Sequence, residues 1–370
     1  MVIVVIGGTG NFGARICRRI AGEPDTELVV TSRTESNAAG FVRELKTAYP
    51  EARIRAAHLD QFSTDFEADL HRLRPDVVVH TAGPYQGQDY RVARACIDAG
   101  SHYIDLADGR EFVEAFSCLN ESAHQRGVLL VSGASTLPGL SSAVIDSLKG
   151  QFREIEAIEI SIAPAHQTPR GAGTIAAVLS YCGRPFTMLV DGSWKRTYGW
   201  QDLRVQRYPR LGTRLSGACD VPDLGLLPTY VPGVGTVTFH AALEAPWEQV
   251  SLWLMGWLTR FRLVRNWPRF TPAFKRLSDR FNRLGSDTGG MHVRLTGTDK
   301  NRERKVRTWY LTATDNHGPE IPCSPALILA RRLARNELSR RGAYPCLGMI
   351  SLAEFDHEVR DLNVSWQITE

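Results

Sequence analysis

The chain has 370 residues, which at about 150 residues per domain suggests two domains or a little more. Hydrophobic residues make up 43% and charged residues 23%, ordinary globular proportions that exclude a disordered, fibrous or collagen-like chain. With 44 Lys and Arg against 40 Asp and Glu, the net charge of +4 is too small for a general nucleic-acid binder.

The opening run Met1-Val-Ile-Val-Val-Ile6-Gly7 has no basic flank and is too short for a leader, so it reads as a buried first strand. Apolar strands without in/out alternation follow at Leu28–Thr31, Ile54–His58, Val77–Thr81, Tyr103–Leu106 and Val128–Ser132. Helix patterns separate them at Phe12–Ala21, Ala38–Ala48, Phe66–Leu73, Tyr90–Ala99 and Glu111–Arg126. Unalternating strands are what a parallel sheet covered on both faces requires. The first 133 residues are therefore expected to form a doubly wound Rossmann sheet of order 3-2-1-4-5-6, in an α/β protein. After about Gly150 the texture changes. Ile155–Ile162, Thr236–Leu243, Met291–Gly297 and Val306–Thr314 are longer strands, several alternating, which predicts a second α+β domain on a mostly antiparallel sheet (134–322). The Gly-, Pro- and Arg-rich stretch 183–232 yields no clear elements. Ser324-Pro325 opens a helix expected to run to about Arg341. No stretch is apolar and unbroken enough to span a membrane: the longest uncharged run, 127–145, carries Gly133, Pro138 and Gly139. Seven cysteines without a CxxC pair point to reduced thiols and a cytoplasmic setting.

Gly7-Gly8-Thr9-Gly10-Asn11-Phe12-Gly13 places GxGxxG at 8, 10 and 13, directly after a strand and opening a helix without an acid in its first turn. That context is what a dinucleotide pyrophosphate requires: a tight turn, close backbone approach and a helix N-terminus facing the phosphates. The second strand ends Thr31-Ser32-Arg33, where an NAD site would usually carry an acid. Ser32 can hydrogen-bond and Arg33 offers a fork for a 2′-phosphate, which favours NADP; alternatively Arg33 is a solvated loop residue. Asp60, after the third strand, either reaches the adenine edge or serves as a turn carboxylate.

The segments Thr81-Ala-Gly-Pro-Tyr85 through Asp105, Ser132-Gly133 through Leu140, Arg170-Gly-Ala-Gly-Thr174 and His317-Gly-Pro319 with Pro322 resemble the saccharopine dehydrogenase-like reductases. The resemblance implies a Rossmann domain, a substrate domain, and a late helix returning to the first, here within 323–370. It implies an NADP-dependent oxidoreductase reducing a C=N or C=O bond of a small amine or carboxylate substrate. More distant members look like enoyl reductases acting on lipid-like substrates, or like proteins of unproven activity, so an enoyl reductase or a catalytically silent NADP-binding protein is the alternative. The lysine-pathway branch carries an acid before the Pro-Gly turn and a Cys upstream. This chain has Leu137, with Ala134 or Ser135 in the Cys position, which argues against saccharopine as substrate.

Ligands of such sheets bind at the carboxyl ends of the strands. The loops Ala82-Gly83-Pro84-Tyr85 and Asp105–Asp108 should flank the nicotinamide. Tyr85 and Asp105 are the candidates for proton transfer or substrate positioning, or else they pack a turn and cap a helix. Arg170, Gly171, Gly173 and Thr174 precede a helical run, an arrangement that could dock a substrate carboxylate or form an ordinary cap. No histidine spacing suggests a metal site.

Residues 250–285 hold eight bases (Arg260, Arg262, Arg265, Arg269, Lys275, Arg276, Arg280, Arg283) against Asp279 alone, so the positive balance of the chain is local. Phe270, Phe274, Leu277, Phe281 and Leu284 form one helical face, with Trp253, Trp257 and Trp267 nearby. The expectation is a stripe buried in a core or homodimer contact; a membrane surface is the alternative.

Overall fold

The computed structural model describes residues 1–168, 170–281 and 285–370. Elements follow in chain order. The first part alternates β1 (Val2–Ile6), α1 (Asn11–Ile20), β2 (Glu27–Ser32), α2 (Glu35–Ala48), β3 (Arg53–His58), α3 (Phe66–Leu73), β4 (Val77–His80), α4 (Arg91–Ala99) and β5 (His102–Asp105). It continues with α5 (Arg110–Glu114), α6 (Asn120–Arg126) and β6 (Leu129–Ser132). The single helix expected over Glu111–Arg126 is thus interrupted by a tighter turn at 115–119.

The later elements are α7 (Ser141–Lys149), β7 (Glu154–Ala163), α8 (Ala172–Ser180), β8 (Pro185–Val190), β9 (Ser193–Tyr198), β10 (Arg204–Tyr208) and β11 (Gly212–Ala218). Then come α9 (Asp223–Tyr230), β12 (Thr236–Ala242), α10 (Pro246–Arg260), α11 (Thr271–Phe281), β13 (Gly289–Thr298) and β14 (Arg304–Ala313). The chain closes with α12 (Ser324–Ala334), β15 (Gly342–Pro345), α13 (Leu352–Val359) and β16 (Val364–Thr369).

Two compact units result, Met1–Gly139 with Glu320–Ile350, and Leu140–Pro319 with Ser351–Glu370. The first holds a seven-stranded parallel sheet in the order β15-β6-β5-β4-β1-β2-β3. The expected order is present, extended by β15. Val4, Val5, Val29, Val30, Val78 and Val79 are fully buried, as strands covered by helices on both faces demand. Helix α12 packs on α1, β4 and β5, and stops at Ala334 rather than Arg341 because Asn336 turns to a left-handed φ of 55°.

The second unit is a nine-stranded mixed sheet running β10-β11-β12-β7-β13-β14-β16, with the β8–β9 hairpin paired to β12; among the described residues only β12 and β7 pair in parallel. The stretch 183–232 that defied assignment is two hairpins and α9. One correction to the expected domain map follows. Residues 320–350 belong with the first unit, but 351–370 join the second, because β16 pairs antiparallel with β14.

Candidate cofactor and active site

The β1–α1 turn is built by backbone constraints. Gly7 adopts φ +76°, and the Gly10 N–H donates to the Gly7 carbonyl at 2.8 Å. A Cβ on Gly13 would sit 2.2 Å from the Gly7 oxygen, so only glycine lets α1 start this close to the strand. Thr81, after β4, donates its hydroxyl to the Ile6 carbonyl at 2.8 Å and locks the turn to the neighbouring loop. The first helical hydrogen bond is Ala14 N–H to Gly10. Among the described residues, no acceptor meets the N–H groups of Asn11, Phe12 or Gly13, and no side chain caps the helix. Gly10 is exposed and Thr9 partly so. An anion at this end would satisfy free donors and the positive end of the helix dipole together.

At the end of β2, Arg33 is exposed, and among the described residues its guanidinium has no hydrogen bond or ion pair. Ser32 Oγ accepts from Thr34 N–H at 3.2 Å. The nearest acid, Glu35, stands in the first turn of α2 rather than on the strand end. Asp60 takes the turn role: its Oδ1 accepts from the Phe62 N–H at 3.1 Å.

Beneath the loop Ala82-Gly83-Pro84 lies a buried polar network that sequence reasoning missed. His80 is 1% exposed, with Nε2 2.7 Å from Gln61 Oε1 and Nδ1 2.9 Å from the Tyr103 hydroxyl. Burial pushes the His80 pKa down to about 3, so the ring is neutral. Since Gln61 Oε1 can only accept, Nε2 carries the proton and Nδ1 accepts from Tyr103. Gln61 and Gln88 side-chain amides both donate to the Ala82 carbonyl, at 3.4 and 3.0 Å, fixing the loop.

Both residues offered for proton transfer are held within this scaffold. Tyr85 is buried against His80 and Phe112, and its hydroxyl donates to the His80 carbonyl at 2.6 Å. Asp105 is fully buried; its Oδ1 accepts from the Ala107 and Gly133 N–H groups at 2.9 and 2.8 Å and from Ser132 Oγ at 3.0 Å. It clamps the end of β5 to the end of β6. Burial lifts its carboxyl to about 6 against the pull of those three donors. The carboxyl that does face solvent on this loop is Asp108, which accepts from the Gln86 amide at 3.1 Å. Desolvation by the crowded loop raises its pKa, an effect that the open side of the residue weakens. Its position three residues past the strand end was the signal available in the sequence. Leu137 is buried where the lysine-pathway branch has an acid.

In the second unit, the Arg170 segment does not present a free cation. Arg170 Nη1 lies 3.9 Å from Glu248 Oε2, which is also 3.4 Å from His166 Nδ1. Gly171 is the N-cap of α8, with Gly173 and the exposed Thr174 in its first turns. Arg170 Nη2 is buried with no hydrogen-bond partner among the described residues.

Residues 3–131 match the family described as saccharopine dehydrogenase NADP binding domain. That match spans the parallel sheet from β1 to β6 and includes the β1–α1 turn. Solved structures share the fold over the whole length of the chain. One is apo saccharopine dehydrogenase (L-Glu forming) from Saccharomyces cerevisiae, with a TM-score of 0.70 at 12% identity, covering 100% of both chains. Another is the homospermidine synthase of Legionella pneumophila in complex with NAD, with a TM-score of 0.57 at 10% identity, covering 100% of this chain and 91% of that one. No curated protein matches the sequence. The match over residues 3–131 supports binding of a nicotinamide cofactor.

Proposed function

We propose that the chain is an NADP-dependent oxidoreductase that reduces a C=N or C=O bond of a small amine or carboxylate substrate. One observation carries the reading: unpartnered N–H groups at the start of α1 stand beside a β2 end that offers a free Arg33 and no acid. The Asn11, Phe12 and Gly13 amides would hold the pyrophosphate, and Arg33 the 2′-phosphate. The bound cofactor supplies a hydride. The protein supplies rigidity and a proton. Neutral His80, through Gln61, holds the Ala82 carbonyl and hence the loop expected at the nicotinamide. Asp108 is the exposed carboxyl at that end whose raised pKa suits it to hand a proton to the reduced substrate.

A second reading, reduction of a C=C bond on a lipid-like substrate, is favoured by the exposed apolar stripe of α10 described below. The deciding experiment is calorimetric titration with NADPH and NADH, followed by cofactor oxidation with amine–carbonyl pairs and with enoyl thioesters. Tighter NADPH binding and turnover of an imine-forming pair support the proposal. Failure to bind either nucleotide overturns it.

A further inference from the structure

Burial in a core or homodimer contact was expected for the basic, aromatic segment; within the single chain its aromatics are only partly buried, and a neighbouring apolar face on α10 is exposed. Helix α10 turns Gln249, Leu252, Met255 and Gly256 inward, while the opposite face carries Trp247, Val250, Leu254 and Leu258 into solvent. The exposed stripe runs the length of the helix, about 22 Å at 1.5 Å per residue. It continues past the helix end into Phe261 and Leu263, which are 67% and 71% exposed. Helix α11 buries no residue fully: Phe270, Phe274 and Phe281 are half-buried near α8, and Leu277 is exposed. Leu284 and Arg283 lie outside the described residues.

The stripe is bordered by arginines. Arg260, Arg262, Arg265 and Arg269 are exposed around the end of α10, and Arg276 and Arg280 on α11. The one acid between residues 250 and 281, Asp279, is taken up by Lys275 at 2.8 Å. Trp257 stacks on Phe261 with ring centroids 5.6 Å apart, and the Arg260 guanidinium sits 4.2 Å from the Trp257 ring centroid. Such aromatic–arginine clusters suit a boundary where one side is apolar and the other anionic.

We propose that this face docks on an anionic lipid surface, with α10 lying in the interface plane. Charge decides the occupant. A second copy seated symmetrically on the same face would bring two arginine clusters together, and the acid of the segment, Asp279, is already paired with Lys275. An anionic bilayer accepts the stripe into its acyl boundary and the arginines among its headgroups. No helix among the described residues is long and apolar enough to cross a membrane, so the contact is peripheral.

The test is vesicle co-sedimentation of the full chain without nucleotide, which separates it from the cofactor reading. Vesicles of phosphatidylcholine with phosphatidylserine should retain at least about tenfold more protein than phosphatidylcholine alone. High salt should release it. Leu254→Glu combined with Phe261→Glu should abolish retention, as should Arg262→Glu with Arg265→Glu and Arg269→Glu, with melting temperature and NADPH affinity unchanged. Equal retention by neutral vesicles, or none by anionic ones, overturns the proposal. So does a dimer in gel filtration that Leu254→Glu dissociates, which would assign the face to a second copy.

Discussion

The Arg331 guanidinium donates from Nε to Glu23 Oε1 at 2.6 Å, joining α12 to the turn after α1 across 308 residues of sequence. A partly exposed pair of this kind is worth about 1 kcal/mol. The larger contribution comes from the apolar side of α12, where Leu327, Leu329, Ala330 and Leu333 are buried. The first unit is thus incomplete without a segment from near the end of the chain. Residues 1–139 expressed alone should expose apolar surface and bind 1-anilinonaphthalene-8-sulfonate strongly. The same fragment joined through a flexible linker to 320–350 should show a cooperative thermal transition. A cooperative transition in the short fragment would contradict this.

Cofactor choice rests on Arg33. NADPH should bind at least about tenfold tighter than NADH, and Arg33→Ala should remove about 1.5–3 kcal/mol of NADPH affinity, the range for hydrogen bonds to charged groups. NADH affinity should stay the same. Titration calorimetry on both proteins reads the difference directly.

Two glycines of the same turn should fail differently. A Cβ on Gly10 meets only the Gly7 carbonyl, at 3.1 Å, so Gly10→Val should stay folded while its side chain occupies the pyrophosphate space. Gly13→Ala collides with the Gly7 carbonyl and with Thr81, and should lower stability by about 1–3 kcal/mol. Thermal melts paired with nucleotide titration separate the two effects.

Asp105 should govern stability rather than turnover. Its folded pKa of about 6 lies above the ordinary carboxylate value of 3.8, so the folded state holds the proton more tightly. Stability from this group is present below the unfolded value and lost as pH rises to about 6, by at most about 3 kcal/mol at 1.36 kcal/mol per pKa unit. Asp105→Asn should flatten the denaturation midpoint between those pH values. A loss of kcat without that flattening would restore a catalytic role.

Because buried Leu137 replaces the acid of the lysine-pathway branch, aminoadipate semialdehyde with glutamate should give no cofactor oxidation above background. Spectrophotometric assay at saturating NADPH is sufficient to check it.

What could be read from residues alone follows from how local each feature is. The glycine spacing, the strand-end Arg33 and the apolar β-runs are local chemistry, and the order 3-2-1-4-5-6 follows from them. Strand β15 could not be read: four residues, Gly-Ala-Tyr-Pro, show no alternation, and only the open edge of β6 makes them a strand. Nor could the roles of Tyr85 and Asp105, since a residue type states what a side chain can do and not which neighbour occupies it. The amphipathic period of Phe270, Phe274, Leu277 and Phe281 was legible, whereas the exposed stripe of α10 was not. Whether anything covers it depends on the rest of the unit.

The place of β15 also bears on how the chain is made. Strand β6 ends at Ser132 and its partner begins at Gly342, so about 200 residues separate the two. At roughly 5–20 residues per second, the edge of β6 stays open on the ribosome for about 10–40 s. An unpaired, buried-type strand left waiting that long is a template for wrong pairing. Yield of the native protein should therefore depend on translation speed and on chaperones that occupy the nascent edge.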